Sequence, residues 1–139
     1  MANDLETWAG ELRRRWAPLR DQAAFAARRG DDVARYREDV AVEVGSAFTA
    51  FVAAEFARQV AAGALDPDRR IEIGPENRVD GSGMTDQLFD GATIPLQEAA
   101  EAMIAVSDNT ATDLVMAAVG AGSVRDLLRH LGLRDTTIP

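Results

Sequence analysis

Apolar residues recur at helical spacing over residues 4–16. Leu5, Trp8, Leu12 and Trp16 fall on one stripe, Asp4 is a fitting N-cap, and Pro18 stops the run. The pattern then changes. Residues 23–28 and 33–37 read as two short extended runs joined through Arg29-Gly30-Asp31-Asp32, a hairpin with a Gly-containing turn. Residues 46–65 carry the longest helical pattern. Phe48, Val52, Phe56 and Val60 share one face, Phe51 flanks it, and Asp66-Pro67-Asp68 ends it. So wide an apolar surface predicts a helix buried at a domain centre. Residues 71–93 read as irregular, punctuated by Pro75, Gly81, Gly83 and Gly91. Three further helices follow. One covers 96–106 with Pro95 in its entry, and one runs from just after Asn109 to Gly120. The last opens at Ser123-Val124-Arg125-Asp126, close to a capping box, and ends at Gly132.

These elements predict an α+β domain, predominantly α. An N-terminal helix occupies 1–22, a β-hairpin and its lead-in 23–44, and a helical portion 45–139. With 139 residues, 47% of them hydrophobic, the chain is one domain's worth and buries a core. A net charge of -8 argues against nucleic acid and against anionic membrane surfaces as partners. No apolar run approaches the length of a membrane span. The opening Met-Ala-Asn-Asp-Leu-Glu is polar and acidic, unlike a signal peptide, so the expected location is cytoplasmic. Zero Cys excludes disulfides and thiolate chemistry, and a single histidine, His130, makes a zinc cluster improbable. No metal and no cofactor is expected. All 15 basic residues are arginine, so the chain offers no lysine chemistry.

Two serines stand out. Ser46 heads the long apolar helix in Val44-Gly45-Ser46-Ala47-Phe48-Thr49, and Ser107-Asp108-Asn109 follows 61 residues later. The first turn of a helix offers free N–H groups and positive dipole to an attacking oxygen and its oxyanion. This layout resembles the penicillin-recognising serine hydrolases, whose signature is Ser-x-x-Lys, then Ser-Asp-Asn, then Lys-Thr-Gly. The order of helix, hairpin, buried helix with a leading serine, irregular crossing and Ser-Asp-Asn is similar to the first half of a class A β-lactamase-like domain. The run from Val106 to Asp113 resembles that family's turn and the helix it opens. Gly81-Ser82-Gly83 resembles its crossing segment, and the stretch from Leu131 to Thr136 resembles the approach to its omega loop. The similarity covers roughly residues 23–139.

The resemblance implies roles. Ser46 is the acylated nucleophile, Ser107 relays a proton to the leaving nitrogen, Asn109 binds the substrate's acyl amide, and Asp108 shapes the turn. The implied substrate is a β-lactam or related amide. Thr49 occupies the position of the family's lysine base and cannot titrate near neutrality, whereas a serine nucleophile needs a base. The family's omega-loop glutamate and Lys-Thr-Gly strand would lie beyond Pro139. A lone hairpin leaves an exposed edge, so a complementary C-terminal half, a cleaved remainder or a second copy of the chain is the expected partner. The alternative function is a non-catalytic binding or scaffold subunit derived from such an enzyme.

Residue by residue, other readings stand beside these. Ser46 alone reads as a helix N-cap, and Ser107-Asp108-Asn109 alone as an ordinary cap and turn. Thr49 reads as a helical threonine bonding its own backbone. Glu55 and Glu101 read as solvated or paired, His130 as a surface residue near a helix C-terminus, and Arg13-Arg14-Arg15 as a solvated helix face.

Overall fold

A computed structural model of the chain describes residues 5–81 and 83–138. The Asp4 cap and the central Ser82 of Gly81-Ser82-Gly83 lie outside the described residues. The chain divides into two compact units, one ending at Val44 and the other beginning at Gly45.

In the first unit α1 spans Leu5–Trp16. A 3₁₀ helix over Ala17–Gln22 follows, with proline in its first turn. Strands β1 (Phe25–Arg29) and β2 (Asp32–Tyr36) pair antiparallel, with Arg29 opposite Asp32 and Phe25 opposite Tyr36. The turn is therefore only Gly30-Asp31, two residues tighter than the sequence pattern implied. Aromatic rings hold α1 to the hairpin. Phe25 meets Trp8 and Trp16 edge-on at 5.6 and 5.7 Å and stacks on Tyr36 at 5.9 Å. Ala9 and Ala34 are fully buried beneath them, small enough for helix and sheet to approach closely. Arg13 is not simply solvated. Its guanidinium donates to the Arg35 carbonyl at 2.7 and 3.0 Å and pairs with Glu6.

In the second unit α2 spans Thr49–Ala61. It packs against α3 (Leu96–Ala105), α4 (Asn109–Val119) and α5 (Ala121–His130), so it is the central helix the apolar surface predicted. Val52 and Phe56 of α2 meet Leu96, Ala99 and Met103 of α3, and Ala111, Val115, Val124 and Leu128 of α4 and α5 complete the core. Helix α2 stops four residues earlier than its apolar pattern. Gly63 takes φ 68° there, and the N–H groups of Ala62 and Gly63 cap the carbonyls of Arg58 and Val60. Gly120 at φ 82° separates α4 from α5 alone, so α5 starts two residues before Ser123. Ser123 makes no cap, contrary to the capping-box expectation.

The segment expected to be irregular contains a second two-stranded sheet. Strands β3 (Arg70–Ile73) and β4 (Ala92–Pro95) pair antiparallel, with Ile73 opposite Ala92 and Arg70 opposite Pro95. Proline is tolerated because it sits at the end of an edge strand. Predominantly helical with small sheets, the chain is α+β. No helix among the described residues is long and apolar enough to cross a membrane.

Candidate functional site: the Ser-Asp-Asn turn and its crossing segment

Helix α3 ends at Ala105 and α4 begins at Asn109, which leaves Val106, Ser107 and Asp108 to turn the chain. Ser107 takes φ 55°, the left-handed region that disfavours residues with a side chain. Asp108 follows in an extended conformation and caps α4, its Oδ1 accepting the Ala111 N–H at 2.9 Å. Its own carbonyl accepts the Thr112 hydroxyl at 2.7 Å.

The Asp108 side chain is fully buried, yet it is met on every side. Oδ2 accepts the Thr85 backbone N–H at 2.9 Å and Oδ1 accepts the Thr85 hydroxyl at 2.8 Å. Burial pushes this carboxyl up. The hydrogen bonds donated by Ala111, Thr85 and the Met84 backbone outweigh burial and hold it below the usual carboxylate range. Among the described residues no cation pairs with it, so dipoles stabilise the charge.

The crossing segment between β3 and β4 lies against this turn by several bonds. Asn109 Nδ2 donates to the Asp80 carbonyl at 2.9 Å, and Thr110 Oγ1 accepts the Val79 N–H at 3.0 Å. Arg78 folds the segment back on itself. It donates to the Thr85 and Leu88 carbonyls at 3.0 and 2.5 Å and to Asp90 at 3.0 Å. Two glycines permit the approach. A Cβ at Gly81, which takes φ 137°, would run into Asn109 Nδ2, and one at Gly83 would stand 2.5–2.8 Å from the Asp108 carboxylate oxygens. Gly83→Ala is therefore expected to destabilise the second unit by about 1–3 kcal/mol through overpacking. Thermal melting checks this, and an unchanged midpoint would show that the segment gives way freely.

Ser46 is placed differently from the sequence reading. It lies in a 3₁₀ helix, Gly45–Phe48, and the residue preceding α2 is Phe48, which makes no side-chain cap. Ser46 is therefore not the N-cap of α2. Its side chain is exposed, and its carbonyl accepts the hydroxyl of buried Thr49 at 2.8 Å. The Thr49 hydroxyl proton is thus committed to backbone, as the sequence allowed. These bonds form two clusters, Ser46 with Thr49, and Asp108 and Asn109 with Thr85 and Asp80. Thr85 and Arg78 went unnoticed in the sequence, where nothing distinguishes them from other loop residues.

The remaining polar residues resolve separately. Glu55 is fully buried and accepts from Arg58 and Gln59, while Glu101 is exposed and accepts from Gln97 at 3.0 Å. His130 is exposed in the last turn of α5. Among the described residues no group of three or more His, Cys, Asp or Glu is placed to hold a metal ion.

A central helix preceded by a serine, followed by a Ser-Asp-Asn turn locked to a glycine-bearing crossing, is the architecture of the penicillin-recognising fold. The model of the beta-lactamase enzyme family matches residues 21–139, and the chain belongs to that family. Among solved structures it is similar to a beta-lactamase from Sphaerobacter thermophilus, at 26% identity and TM-score 0.84 over 98% of this chain and 52% of that one. An ancestral class A beta-lactamase is 29% identical at TM-score 0.82, covering 94% of this chain and 52% of its own. A point mutant of PBP-A, captured as an acyl-enzyme complex with penicillin G, is 20% identical at TM-score 0.83, a likeness of fold, over 97% of this chain and 53% of that one. The chain therefore spans about half the length of the structures it matches, the N-terminal half of their fold. No curated protein matches it.

Proposed function

We propose that the chain is the nucleophile-bearing and substrate-recognising part of a serine hydrolase acting on a β-lactam or related amide, and that a complementary half completes it. Ser46 Oγ gives up its proton, through a water, to the glutamate that the complement brings and attacks the carbonyl carbon; the C–N bond breaks, and Ser107 passes a proton to the departing nitrogen. Asn109 holds the acyl amide, and Asp108 fixes the turn that carries both. The observation that supports this reading is the Ser-Asp-Asn turn itself. Ser107 is kept at a disfavoured φ of 55°, and Asp108 is buried and fully bonded behind it. Backbone strain held in place by surrounding structure clusters at functional sites.

A second reading, a non-catalytic binding subunit, is favoured by one observation. The residue at the base position is a threonine whose hydroxyl is spent on the Ser46 carbonyl. The two readings part in one experiment. The chain is mixed with the C-terminal half of a class A β-lactamase, which brings the glutamate and the Lys-Thr-Gly strand, and exposed to penicillin. Mass spectrometry is expected to find a slowly formed penicilloyl adduct on Ser46 that Ser46→Ala abolishes. Without the complement, turnover of a chromogenic β-lactam is expected to equal buffer, since lost general-base help costs roughly 10²–10⁴-fold. A completed assembly that binds penicillin and never acylates would establish the binding subunit instead.

A further inference from the structure

A cavity of about 460 Å³ opens between α2 and α5, lined by Glu55, Arg58, Ser123, Asp126, Leu127 and His130. None of these residues belongs to the Ser-Asp-Asn cluster or to Ser46, and the size suits a small ligand.

Arg58 organises this cavity. Its Nε and Nη2 donate to the two carboxylate oxygens of Glu55, each at 2.7 Å. The Glu55 side chain is 1% exposed, whereas that of Arg58 is 60% exposed. Glu55 is itself anchored by Gln59 Nε2 at 2.7 Å, and the same amide nitrogen donates to the Val119 carbonyl of α4 at 2.9 Å. A buried, doubly held carboxylate therefore fixes one edge of the guanidinium. The other edge, formed by Nη1 and the second Nη2 proton, has no partner among the described residues. That edge is a planar fork whose spacing matches a carboxylate or phosphate, and its rotamer entropy is already spent.

Two further donors line the same cavity. Among the described residues the Ser123 hydroxyl has no hydrogen-bond partner, and its backbone N–H donates to the Gly120 carbonyl. His130 lies seven residues on, two turns along the same face of α5. The one other acid in the lining, Asp126, is paired with Arg129. Both carboxylates of the lining are thus held by arginines, in a chain of net charge -8.

We propose that this cavity is a binding site for a small oxyanion, a phosphate or carboxylate group, received by the free edge of Arg58 and assisted by Ser123 and His130. The site is independent of the acyl-transfer reading. The overall negative charge opposes the anion, so half-saturation belongs in the range of about 1–10 mM, a few exposed charge-assisted bonds. The test is a titration of the ¹⁵N-labelled chain with sodium phosphate and, separately, sodium acetate, at ionic strength held constant with chloride. Saturable shifts are expected at the Arg58 Nε–H and at the Ser123 and His130 amides. Deleting Arg58 would strand a buried carboxylate, so Arg58→Lys is the variant of choice. It keeps a cation for Glu55, loses the fork, and should weaken binding about tenfold. His130→Gln, at an exposed position, should weaken it about threefold. Which anion binds more tightly identifies the preferred headgroup. Shifts that chloride reproduces, that never saturate, or that both variants leave unchanged would overturn the site.

Discussion

Asp108→Ala is expected to lower the stability of the second unit by about 3–4 kcal/mol, a large share of the 5–15 kcal/mol typical of a whole domain. The substitution removes the α4 cap and leaves the Thr85 N–H, the Thr85 hydroxyl and the Ala111 N–H without their acceptor in a buried place. A lost cap costs about 1 kcal/mol, and each stranded buried donor about 1–3 kcal/mol before water enters the new space. Asp108→Asn keeps the volume and sets an amide NH₂ against the Thr85 N–H, so a smaller loss of about 1–2 kcal/mol is expected. Urea denaturation at one fixed protein concentration measures both. Equal stability of Asp108→Ala and wild type would mean that the turn is held by something other than this carboxylate.

The same residue sets a pH dependence whose sign is fixed. Burial raises the Asp108 carboxyl and the donated hydrogen bonds lower it further, so folding depresses it overall. A carboxyl depressed on folding stabilises the folded state above its unfolded value of about 3.9, and that contribution fades as the pH falls through the folded value. The stability gap between wild type and Asp108→Asn should be constant above about pH 5 and narrow on further acidification.

Asp108 also shows where sequence reading reached its end. The tripeptide Ser107-Asp108-Asn109 is visible as a turn because Ser, Asp and Asn favour caps and turns by their short polar side chains. Its partner is not visible. Thr85 lies 23 residues upstream, in a segment whose glycines and proline read as loop. Only the folded crossing reveals that Gly83 leaves room for the carboxylate. The central helix was legible because Phe48, Val52, Phe56 and Val60 recur at helical spacing, and Val52 and Phe56 do lie in the core with the other two packed against it. Strands β3 and β4 were not. Each is four residues long, they are separated by a long excursion, and one ends in proline, which argues against strand on local grounds. Ser46 was legible as a serine ahead of an apolar helix, but the 3₁₀ turn that carries it was not, since no residue in Gly45-Ser46-Ala47-Phe48 separates a 3₁₀ from an α start. Glu55 sits among apolar neighbours on α2, where nothing in its own sequence context tells a buried, Arg-held carboxylate from a solvated one.

The largest rate effect is expected at Thr49. In an assembly that includes an omega-loop glutamate and a Lys-Thr-Gly strand, Thr49→Lys should accelerate penicillin acylation of Ser46 by about 10²–10⁴-fold, the usual worth of a placed general base. The position suits the task. Thr49 is three residues beyond Ser46, one helical turn on, and its hydroxyl already reaches the Ser46 backbone at 2.8 Å. The site is buried, and burial disfavours an ammonium, so the introduced amine is shifted down toward the neutral form that accepts a proton. The longer side chain overfills a tight site, and a stability loss of about 1–3 kcal/mol should accompany the gain. Acylation followed by mass spectrometry gives the rate, and thermal melting gives the cost. The pH profile separates base catalysis from a packing effect, because a lysine acting as base makes acylation rise with pH through its own ionisation, whereas a structural change moves the rate uniformly. An assembly that folds with lysine in place and acylates Ser46 no faster than the threonine form would mean that Ser46 is not aligned for attack, and the binding-subunit reading would then stand alone.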